Sequence, residues 1–542
     1  MGRLAWKPAY NWAWIAALTL TALNGLKPAV VDDTAYLLFA RHLSLHPADP
    51  YGFEIFWNSV PEPAMGVLMP PVLPYWLGLG IAIFGEHLFL LKLWLFPFAL
   101  ILCRSTAWLV ARFAPGQERT GLVVIAFSPA VLVLFNFMLD VPALALGMAA
   151  LRLFVDGCDR RRILSILASG LVAGFAMQTK YSLLVLPVVF AWYALLHRRW
   201  AAAVIGVSVA TAAFWAWEYW LIQKYGHSHF WVNAKGDRDE ALNLADAFET
   251  RLSLVIPLLG QFGGLMLGVS LWVAFAFRPR FALGTALVCA GFLIPIFLES
   301  QSEWHCALLT FQIFGALILC NFWCATWKML RAAEWSDSFF LLGWVLLETA
   351  GALGLSPFPA ARRMLGVCFA LSLLGVRAVA VSGVSLRYAT AGSVAFSLLV
   401  FAVDCWDARP EKILAERAAE IARPASGETV WFNGHWGFQY YCDRAGMRPV
   451  VPGQSTLRAG DWLVYPVIPD DGGFYRPWHG FASFVIDPDC VEKIMTLTWE
   501  DPLMAQTIPN LYGGSAPIRN RDHPRLKLAI YRIVAAWSPR RE

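Results

Sequence analysis

Charged residues are scarce in this 542-residue sequence. Asp, Glu, Lys and Arg together make up 15% of the chain, whereas hydrophobic residues make up 58%. Soluble globular proteins usually carry about 25% charged residues. Because the depletion extends over most of the chain, the composition indicates a polytopic membrane protein rather than a soluble domain. The 26 Trp residues agree with this, since Trp is enriched at membrane interfaces.

Motifs for nucleotide binding are absent from the sequence. Neither GxGxxG nor GxxxxGK(S/T) follows a strand-like segment, although such glycine-rich loops hold nucleotide phosphates. The net charge is a modest +5, and the basic residues lie in short loops rather than in one patch. The sequence therefore favours neither a nucleotide ligand nor a nucleic-acid partner.

The ten cysteines include no CxxC pair. Cys442 and Cys490 lie in the polar C-terminal part, where a disulfide is an alternative to two free thiols if that part is extracytoplasmic. Most of the others lie in apolar runs and are expected to behave as small hydrophobic residues; examples are Cys103, Cys289, Cys320 and Cys368.

Apolar segments of spanning length recur along the chain. The first, residues 12–31, shows no cleavage-like site before a polar start, so we expect a retained signal anchor rather than a cleaved signal peptide. A spanning helix needs about 20 predominantly apolar residues, and thirteen segments approach that length. They are residues 12–31, 88–111, 120–138, 141–155, 163–179, 182–196, 201–221, 253–277, 281–298, 305–327, 338–355, 364–383 and 387–404.

The loops between these segments alternate in charge. One set is basic, as the positive-inside rule requires of cytoplasmic loops; it holds Arg3, Lys7, Arg112, Arg119, Arg160, Arg161, Arg162, Arg198, Arg199, Arg278, Arg280, Lys328, Arg331 and Arg387. The other set, expected outside, holds Asp32, Asp33, Asp140, Lys180, residues 222–252, Glu299, Glu303 and residues 356–363. With an odd number of spans, the N-terminus is predicted to be cytoplasmic and residues 405–542 extracytoplasmic.

One further apolar segment does not fit this alternation as a span. Residues 72–85, VLPYWLGLGIAIFG, are shorter than the roughly 20 residues that cross a membrane. If they crossed, the three arginines at 160–162 would face outward. We therefore predict an interfacial or re-entrant helix, which makes residues 32–87 one large external loop.

The C-terminal part differs in character from the rest. Residues 410–422 have the pattern of a short amphipathic helix, and strand-like runs separated by turn residues follow it. These runs are ETVWFNG (428–434), DWLVYPV (461–467), FASFVID (481–487) and LKLAIYRIV (526–534). The prediction is a transmembrane domain over residues 1–404 and a small α/β domain over residues 405–542.

Acidic and basic side chains collect at the predicted outer ends of the spans. Each has a plain structural interpretation: a Lys or Arg at a helix end often snorkels to the headgroups, and Asp33 or Asp140 would suit a helix N-terminus. Asp32 is harder to explain in this way, because adjacent carboxylates repel and one cap is enough. The members of this set are Asp32, Asp33, Lys92, Asp140, Lys180, Arg362 and Arg363.

Five segments of the sequence resemble the GT-C class of polytopic glycosyltransferases, in particular the bacterial protein O-mannosyltransferase-like and aminoarabinose-transferase-like group (glycosyltransferase family 39-type). They occur in the order that this group shows and extend from residue 1 to about 400. The segments are VDDTAYLLFARHL, MPPVLPYWLGLGIAIFG, SPAVLVLFNFMLDVPAL, GLVAGFAMQTKYSLLVLP and PFPAARRMLG.

The resemblance implies transfer of a sugar, with inversion, from a polyprenyl-phosphate-linked donor to a hydroxyl of a lipid, glycan or protein acceptor. It places the reaction at the outer face of a bacterial-type inner (cytoplasmic) membrane. Asp32 aligns with the catalytic acidic residue and would act as general base, with Asp33 and Asp140 at the other acidic positions. The residues implied near the donor phosphate are Lys92, Lys180, Tyr181, Arg362 and Arg363.

Two positions depart from the pattern of that group. Asp33 stands where Glu is more frequent, which shortens the second carboxylate, and Met69 stands where Lys or His is frequent. Paired acids such as Asp32 and Asp140 would also suit a divalent metal ion, so the sequence leaves metal dependence open. The HxH pair His227 and His229 lacks a third ligand and is more typical of polar surface.

Two other functions fit a polytopic protein with charges near its membrane-spanning segments. A transporter or flippase of lipid-linked glycans should carry such charges near the bilayer midplane and show internal repeats, and neither is visible here. A glycan polymerase or ligase would use a similar donor but is expected to lack the early Asp pair. In the tail, His435 and the Trp-rich segments would either stack on a glycan or pack structurally.

Overall fold

The computed structural model describes residues 6–57, 60–236, 254–277, 280, 284, 304–330, 335–355, 360–382, 386–467, 484–500, 503, 505–508, 510–513, 516–520 and 526–540. Most of these residues are helical. Up to residue 236 the helices are α1 (Trp6–Asn24), α2 (Asp33–Leu45), α3 (Ala64–Val67), α4 (Val72–Phe84), α5 (Leu88–Trp94), α6 (Phe96–Phe113), α7 (Glu118–Ala126), α8 (Pro129–Leu132), α9 (Asp140–Arg160), α10 (Ile163–Met177), α11 (Leu186–Leu196), α12 (Trp200–Tyr225) and α13 (His229–Gly236).

The second half of the chain adds further helices and most of the strands. The helices are α14 (Val255–Leu265), α15 (Leu267–Phe277), α16 (Trp304–Leu330), α17 (Trp335–Leu355), α18 (Leu365–Ser382), α19 (Arg387–Asp407), α20 (Arg409–Ile421), α21 (Trp436–Arg444) and α22 (Asn510–Gly513), with 3₁₀ turns at Tyr181–Val185 and Ala361–Met364. The strands are β1 (Glu54–Phe56), β2 (Pro61–Pro63), β3 (Val430–Phe432), β4 (Arg448–Pro449), β5 (Trp462–Pro466), β6 (Val491–Thr498), β7 (Ala505–Gln506), β8 (Arg519–Asn520) and β9 (Lys527–Ile533).

Six helical stretches among the described residues are long and apolar enough to cross a membrane, or seven if one bent pair forms a single span. This confirms a multi-pass, mainly helical protein. The most buried of the six is Ala361–Ser382, whose apolar window is 83% buried, whereas only 22% of the window in Trp200–Tyr225 is buried. The former therefore lies at the centre of the bundle and the latter at its lipid-facing edge. The six are Leu88–Phe113, Asp140–Arg160, Trp200–Tyr225, Trp335–Gly354, Ala361–Ser382 and Arg387–Ile421.

The predicted count of thirteen spans is not confirmed. Residues 163–179 and 182–196 form helices of 15 and 11 residues, shorter than a span. Within the predicted span 253–277, helices α14 and α15 are bent by 66° at a break that follows the pair Gly263 and Gly264, and Gly pairs are common at sharp kinks. Other positions named in the sequence analysis lie outside the described residues: most of 281–298, residues 237–253 and 356–359, and Arg3, Arg278, Cys289, Glu299, Glu303 and Arg331.

The predicted span 120–138 is interrupted, and proline is the reason. Helix α7 ends at Ala126, and Ser128 is extended with φ −67° and ψ 153°. A residue before proline avoids the helical region, and Pro129 has no N–H to donate. The chain after α8 runs without regular structure to Asp140. This irregular segment brings Asn136 into hydrogen-bond contact with Asp33 and Lys92.

Residues 72–85 form a helix, as the sequence predicts. Helix α4 has 13 residues, a length of about 20 Å at 1.5 Å per residue, and is therefore shorter than the roughly 30 Å hydrocarbon core of a bilayer. It packs against α2 of the same loop, where Gly78 allows close contact: a Cβ there would lie 2.9 Å from the carbonyl oxygen of Ala40.

The C-terminal part contains a five-stranded mixed sheet with the order β4-β3-β5-β9-β6. Strand β3 pairs in parallel with β4 and β5, and β9 pairs antiparallel with β5 and β6. The predicted helix and three of the four predicted strands are present as α20, β3, β5 and β9. Part of the fourth, 481–487, lies outside the described residues, and its described part is not a strand.

The sheet edge is supplied instead by β6, which sequence patterning does not reveal. Its sequence VEKIMTLT shows no strict alternation, and most of its side chains are partly or fully exposed because it is an edge strand. Cys442 and Cys490 are both free thiols. The alternative of a disulfide between them is therefore wrong for this structure.

Candidate active site

The early aspartate pair lies where the turn after α1 meets α2: Asp32 is the last residue before the helix and Asp33 is its first. Val31, directly before the pair, has φ +47° and is 1% exposed. This left-handed conformation is unusual for a β-branched residue. The backbone N–H of Val30 donates to Oδ2 of Asp33 at 2.9 Å. The turn therefore directs the carboxylates of Asp32 and Asp33 to different neighbours.

Asp32 lies in a cluster of two ion pairs. Nη1 of Arg362 donates to Oδ2 of Asp32, and the ammonium of Lys180 donates to Asp140. The two pairs are joined, since Lys180 also contacts the carbonyl oxygen of Arg362 at 3.4 Å. Four predicted site residues, distant in sequence, are thus brought together in one place.

The cluster is accessible, although most of it is enclosed by protein. The side chains of Asp32 and Lys180 are each 20% exposed, that of Arg362 is 14% exposed and that of Asp140 is 4% exposed. Charges in such a partly desolvated place interact more strongly than on an open surface. Three of its four members therefore keep some contact with solvent.

Short 3₁₀ turns position the two basic side chains. Lys180 precedes the turn Tyr181–Val185, and Arg362 belongs to the turn Ala361–Met364 at the start of the central helix α18. Arg363 follows in the same turn, is partly buried, and adds a third positive charge in the surroundings of Lys180. The three basic side chains outnumber the two carboxylates of Asp32 and Asp140, so the region carries an excess of positive charge.

Tyr36 is a site residue that the sequence analysis missed. It lies one helical turn after Asp32, is 6% exposed, and interacts with the charges of Asp32, Arg362 and Asp140. Burial, followed by the nearby carboxylate of Asp32, raises the pKa of the Tyr36 hydroxyl well above its ordinary value. The hydroxyl therefore stays protonated and is available as a hydrogen-bond donor. Its position four residues after Asp32, on the same face of a helix, could have identified Tyr36 from the sequence.

Asp33 and Lys92 do not join the accessible cluster. Asp33 is fully buried and accepts a hydrogen bond from Nδ2 of Asn136. Lys92 is 2% exposed, and its ammonium donates to Oδ1 of Asn136 and to the carbonyl of Lys27 at 2.6 Å, while its third N–H is shared between the two oxygens of Asn24. Burial raises the pKa of Asp33 to about 7. This inner network fixes the turn that carries Asp32.

A second buried ion pair joins the same turn to the C-terminal segment. The ammonium of Lys27 contacts the carboxylate of Asp404 and donates to the hydroxyl of Tyr512 at 2.6 Å. Asp404 in turn accepts from the hydroxyl of Thr507 at 2.8 Å. Breaking a buried pair by removing one partner is costly, so this contact holds Thr507 and Tyr512 against the base of the site.

Tyr181 lies in a separate polar cluster. Its hydroxyl is 2.5 Å from Nδ1 of His229 and 3.4 Å from Oε1 of Glu218. Glu218 is fully buried and also accepts from Ser228 and Gln178. Because both oxygens of Glu218 have partners, this cluster is a structural connection between α12 and α13.

The HxH pair does not form a ligand pair. Nε2 of His229 lies 2.7 Å from the carbonyl oxygen of Leu68, and burial lowers the pKa of His229 to about 4. His227 is exposed. His229 instead positions the loop before Pro70 and Pro71.

The C-terminal region forms one wall of the site. The hydroxyl of Thr34 donates to the carbonyl of Trp436 at 2.6 Å, and the N–H of Ala29 donates to the hydroxyl of Tyr441 at 2.9 Å. The contact is close at Gly437, where a Cβ would lie 2.8 Å from the carbonyl oxygen of Ala29. His435, just before α21, is 6% exposed and experiences the charge of Asp32.

A cleft of about 340 Å³ opens next to this wall, between α2, β1 and α21. The residues of the two ion pairs do not line it. Its lining is mixed aromatic and polar, and includes Thr34, His42, Phe53, Phe56, Gln439 and Tyr440.

The donor set does not fit a divalent metal ion. Asp32 and Asp140 each contact a cationic side chain, and a cation next to a carboxylate competes with a metal. Within the described part of the chain, no group of three or more His, Cys, Asp or Glu side chains is arranged to hold one.

A family profile described as Dolichyl-phosphate-mannose-protein mannosyltransferase matches residues 69–222. The match includes Asp140 and Lys180, and it confirms the resemblance to GT-C class polytopic glycosyltransferases. No curated protein sequence matches the chain significantly.

Several solved structures are similar to this one. One is ArnT from Cupriavidus metallidurans bound to undecaprenyl phosphate, with 15% sequence identity, a TM-score of 0.43, and coverage of 86% of this chain and 94% of that chain. Another is the oligosaccharyltransferase AglB from Archaeoglobus fulgidus with an inhibitory peptide and a dolichol phosphate, with 14% identity, a TM-score of 0.44, and coverage of 86% and 70%. A third is an Archaeoglobus fulgidus oligosaccharyltransferase in complex with Zn and sulfate, with 13% identity, a TM-score of 0.45, and coverage of 84% and 68%.

Proposed function

We propose that this protein is a membrane glycosyltransferase that transfers a sugar from a polyprenyl phosphate to an acceptor hydroxyl at the outer face of the membrane. The observation that carries the proposal is the pair of joined ion pairs, Asp32 with Arg362 and Asp140 with Lys180. This cluster offers both an anion site and carboxylate bases, and transfer from a sugar phosphate to a hydroxyl needs both.

The proposed reaction needs a general base for the acceptor hydroxyl but no general acid for the leaving phosphate. A polyprenyl phosphate leaves as an anion, so its oxygen needs no protonation. The acceptor oxygen forms a bond to the anomeric carbon while the bond from that carbon to the phosphate oxygen breaks, which inverts the configuration. Asp32 takes the proton of the hydroxyl, a role typically worth about 10²–10⁴-fold in rate. The products are a glycoside and the polyprenyl phosphate.

Arg362 and Lys180 would bind the donor phosphate. Both are fixed by 3₁₀ turns in a partly desolvated place, and preorganised cations there stabilise the charge that develops on the leaving phosphate. Arg363 adds positive charge nearby, and Tyr36 is placed to donate a hydrogen bond to the phosphate or the sugar. The polyprenyl chain would lie against the apolar surface of the bundle.

Binding of the donor would also activate the base. Without donor, Arg362 is occupied by Asp32 and Lys180 by Asp140. A phosphate accepts hydrogen bonds from both cations and competes for them with the two carboxylates. Once Arg362 contacts the phosphate, Asp32 is free to accept the proton of the acceptor. The proposed order is therefore donor first and acceptor second.

Three of the predicted site residues take indirect roles in this proposal. Asp33 and Lys92 hold the turn that carries Asp32, since both are buried and each hydrogen-bonds to Asn136. Tyr181 supports Lys180 through its contacts with His229 and Glu218.

The orientation rests on the charge asymmetry of the loops. We keep the proposal of a cytoplasmic N-terminus, an extracytoplasmic site, and a division near residue 404 between a transmembrane domain and an extracytoplasmic α/β domain. The bacterial-type inner membrane and the lipid, glycan or protein nature of the acceptor belong to the same proposal.

The test is reconstitution of the full chain in nanodiscs and in liposomes with undecaprenyl phosphate carrying mannose, glucose, galactose or 4-amino-4-deoxyarabinose. Bacterial envelope extract supplies acceptors. We expect one donor to be consumed, with release of undecaprenyl phosphate and a labelled product, and we expect the exposed Asp489→Asn variant to match the wild type. Movement of intact donor across liposomes without its breakdown would contradict the proposal and favour a flippase.

A further inference from the structure

His435 is a buried polar side chain that the proposed mechanism does not use. It lies directly before α21 and is 6% exposed, and the ring of Trp57 meets it edge-on with centroids 4.2 Å apart. The negative charge of the Asp32 carboxylate favours the protonated form of the His435 ring. A largely buried side chain with two hydrogen-bonding atoms, within electrostatic range of the proposed base, needs a partner at each atom.

One ring nitrogen has its partner in the protein. Nδ1 of His435 lies 3.3 Å from Oε1 of Gln439. The amide nitrogen of Gln439 donates to the carbonyl oxygen of Phe56 at 2.6 Å, which fixes the orientation of the amide. Because Oε1 can only accept, Nδ1 of His435 carries the proton and donates.

The other ring nitrogen is left with an unused lone pair. In this tautomer Nε2 of His435 is a hydrogen-bond acceptor, and among the described residues the ring makes no hydrogen bond besides the one to Gln439. Burial lowers the pKa of His435 to about 4, so the ring is neutral near pH 7. The atom therefore accepts a hydrogen bond and attracts no anion.

We propose that Nε2 of His435 accepts a hydrogen bond from a sugar hydroxyl in the site, with the ring of Trp57 beside it as an apolar surface for the sugar. This inference rests on the proposed function. The hydroxyl belongs either to the sugar of the donor or to the acceptor, and both have the same chemistry. In either case the C-terminal region supplies a binding residue to the site.

Two substitutions of His435 separate the roles of its nitrogens. An Asn side chain places its polar atoms near Nδ1 and can keep the contact with Gln439, whereas a Gln side chain reaches the place of Nε2. We expect His435→Asn to lower kcat/KM about tenfold, as for loss of one hydrogen bond to a buried partner, and His435→Gln to recover most of it. His227→Asn, at an exposed histidine, is the matched control.

The step that His435→Asn impairs shows whether the hydroxyl belongs to the donor or to the acceptor. If it belongs to the donor, His435→Asn weakens binding of the sugar-carrying lipid but not of undecaprenyl phosphate, and also slows hydrolysis of the donor by water. If it belongs to the acceptor, donor binding and hydrolysis stay unchanged while KM for the acceptor rises. The apparent thermal midpoint of each variant shows that the fold is retained.

Either pattern supports the inference. If the wild type binds and consumes a lipid-linked sugar and His435→Asn matches it in all these measurements, the inference is wrong and the proposed function stands. A wild-type chain that neither binds nor consumes any member of the donor panel contradicts the proposed function, and the inference with it.

Discussion

Asp32 and Asp33 are neighbours in the chain, yet their carboxylates have different partners. Asp32 contacts Arg362 in a partly accessible cluster, whereas Asp33 is fully buried and accepts from Asn136 and the N–H of Val30. The pair therefore combines one partly accessible carboxylate, the proposed general base, with one buried carboxylate that holds the turn. This explains why two adjacent acids follow the first helix, although one would be enough to cap α2.

The proposed exchange of ion pairs has a consequence for binding of the product lipid. In Asp32→Asn the guanidinium of Arg362 loses its charged competitor, so we expect undecaprenyl phosphate to bind about tenfold more tightly, a reasonable size for a partly buried ion pair. Arg362→Gln should weaken binding by a similar factor. Titration of the purified variants in nanodiscs with undecaprenyl phosphate measures both, and Asp489→Asn is the control. Unchanged or weaker binding to Asp32→Asn would contradict the exchange.

Because the backbone of Val31 is left-handed, we expect glycine to give a more stable protein than alanine at this position, the opposite of their order within a helix. Val31→Ala keeps the strain of φ +47°, which costs about 1–2 kcal/mol for a residue with a Cβ, whereas Val31→Gly removes it. We expect the Gly variant to be about 1 kcal/mol more stable than the Ala variant. At Val379, buried within the helix α18, glycine should be the worse residue by about 1 kcal/mol. Thermal unfolding of the four variants in detergent gives the comparison, and the same order at both sites would rule out the strained turn.

These examples show what the sequence could and could not predict. Charge asymmetry, spacing and the five resembling segments pointed to Asp32, Asp140, Lys180 and Arg362, which the structure brings together. Sequence spacing did not separate Asp33 and Lys92 from them, because burial depends on how α1, α5 and residues 133–139 pack. Pro129 could have predicted the break in the segment 120–138, but the long apolar run around it favoured one continuous span.

Close packing between the C-terminal region and the turn can be tested at Gly437. A Cβ there would lie 2.4 Å from Oε2 of Glu411 and 2.8 Å from the carbonyl oxygen of Ala29. Because the contact with Ala29 is to backbone, Gly437→Ala must move α21 or the turn that carries Asp32, besides the side chain of Glu411. We expect turnover to fall about tenfold, the effect of about 1.4 kcal/mol on the barrier, while undecaprenyl phosphate still binds. In the control Gly392→Ala, a Cβ meets no atom within 4 Å. Equal turnover of the two variants would mean that this contact does not position the site.

Burial of His229 makes stability depend on pH. The pKa of His229 in the folded protein is lowered to about 4, against about 6.5 in an unfolded chain. As the pH falls below 6.5, the unfolded chain binds a proton that the folded chain does not, so the free energy of unfolding decreases, by on the order of 3 kcal/mol at pH 4. We expect the apparent thermal midpoint to fall over this range, and less steeply in His229→Gln than in wild type or in His227→Gln. If the apparent thermal midpoint falls equally with pH in all three proteins, the result would contradict a neutral, buried His229.

The most direct measurement is the rate of a single turnover with the donor already bound. The wild type and Asp32→Asn are each saturated with the lipid-linked sugar that the wild type consumes, envelope acceptor is added, and labelled product is followed in time. Loss of the general base should slow this step about 10²–10⁴-fold, while donor affinity is retained or increased. An Asp32→Asn variant that forms product at the wild-type rate would contradict the assignment of Asp32 as the base.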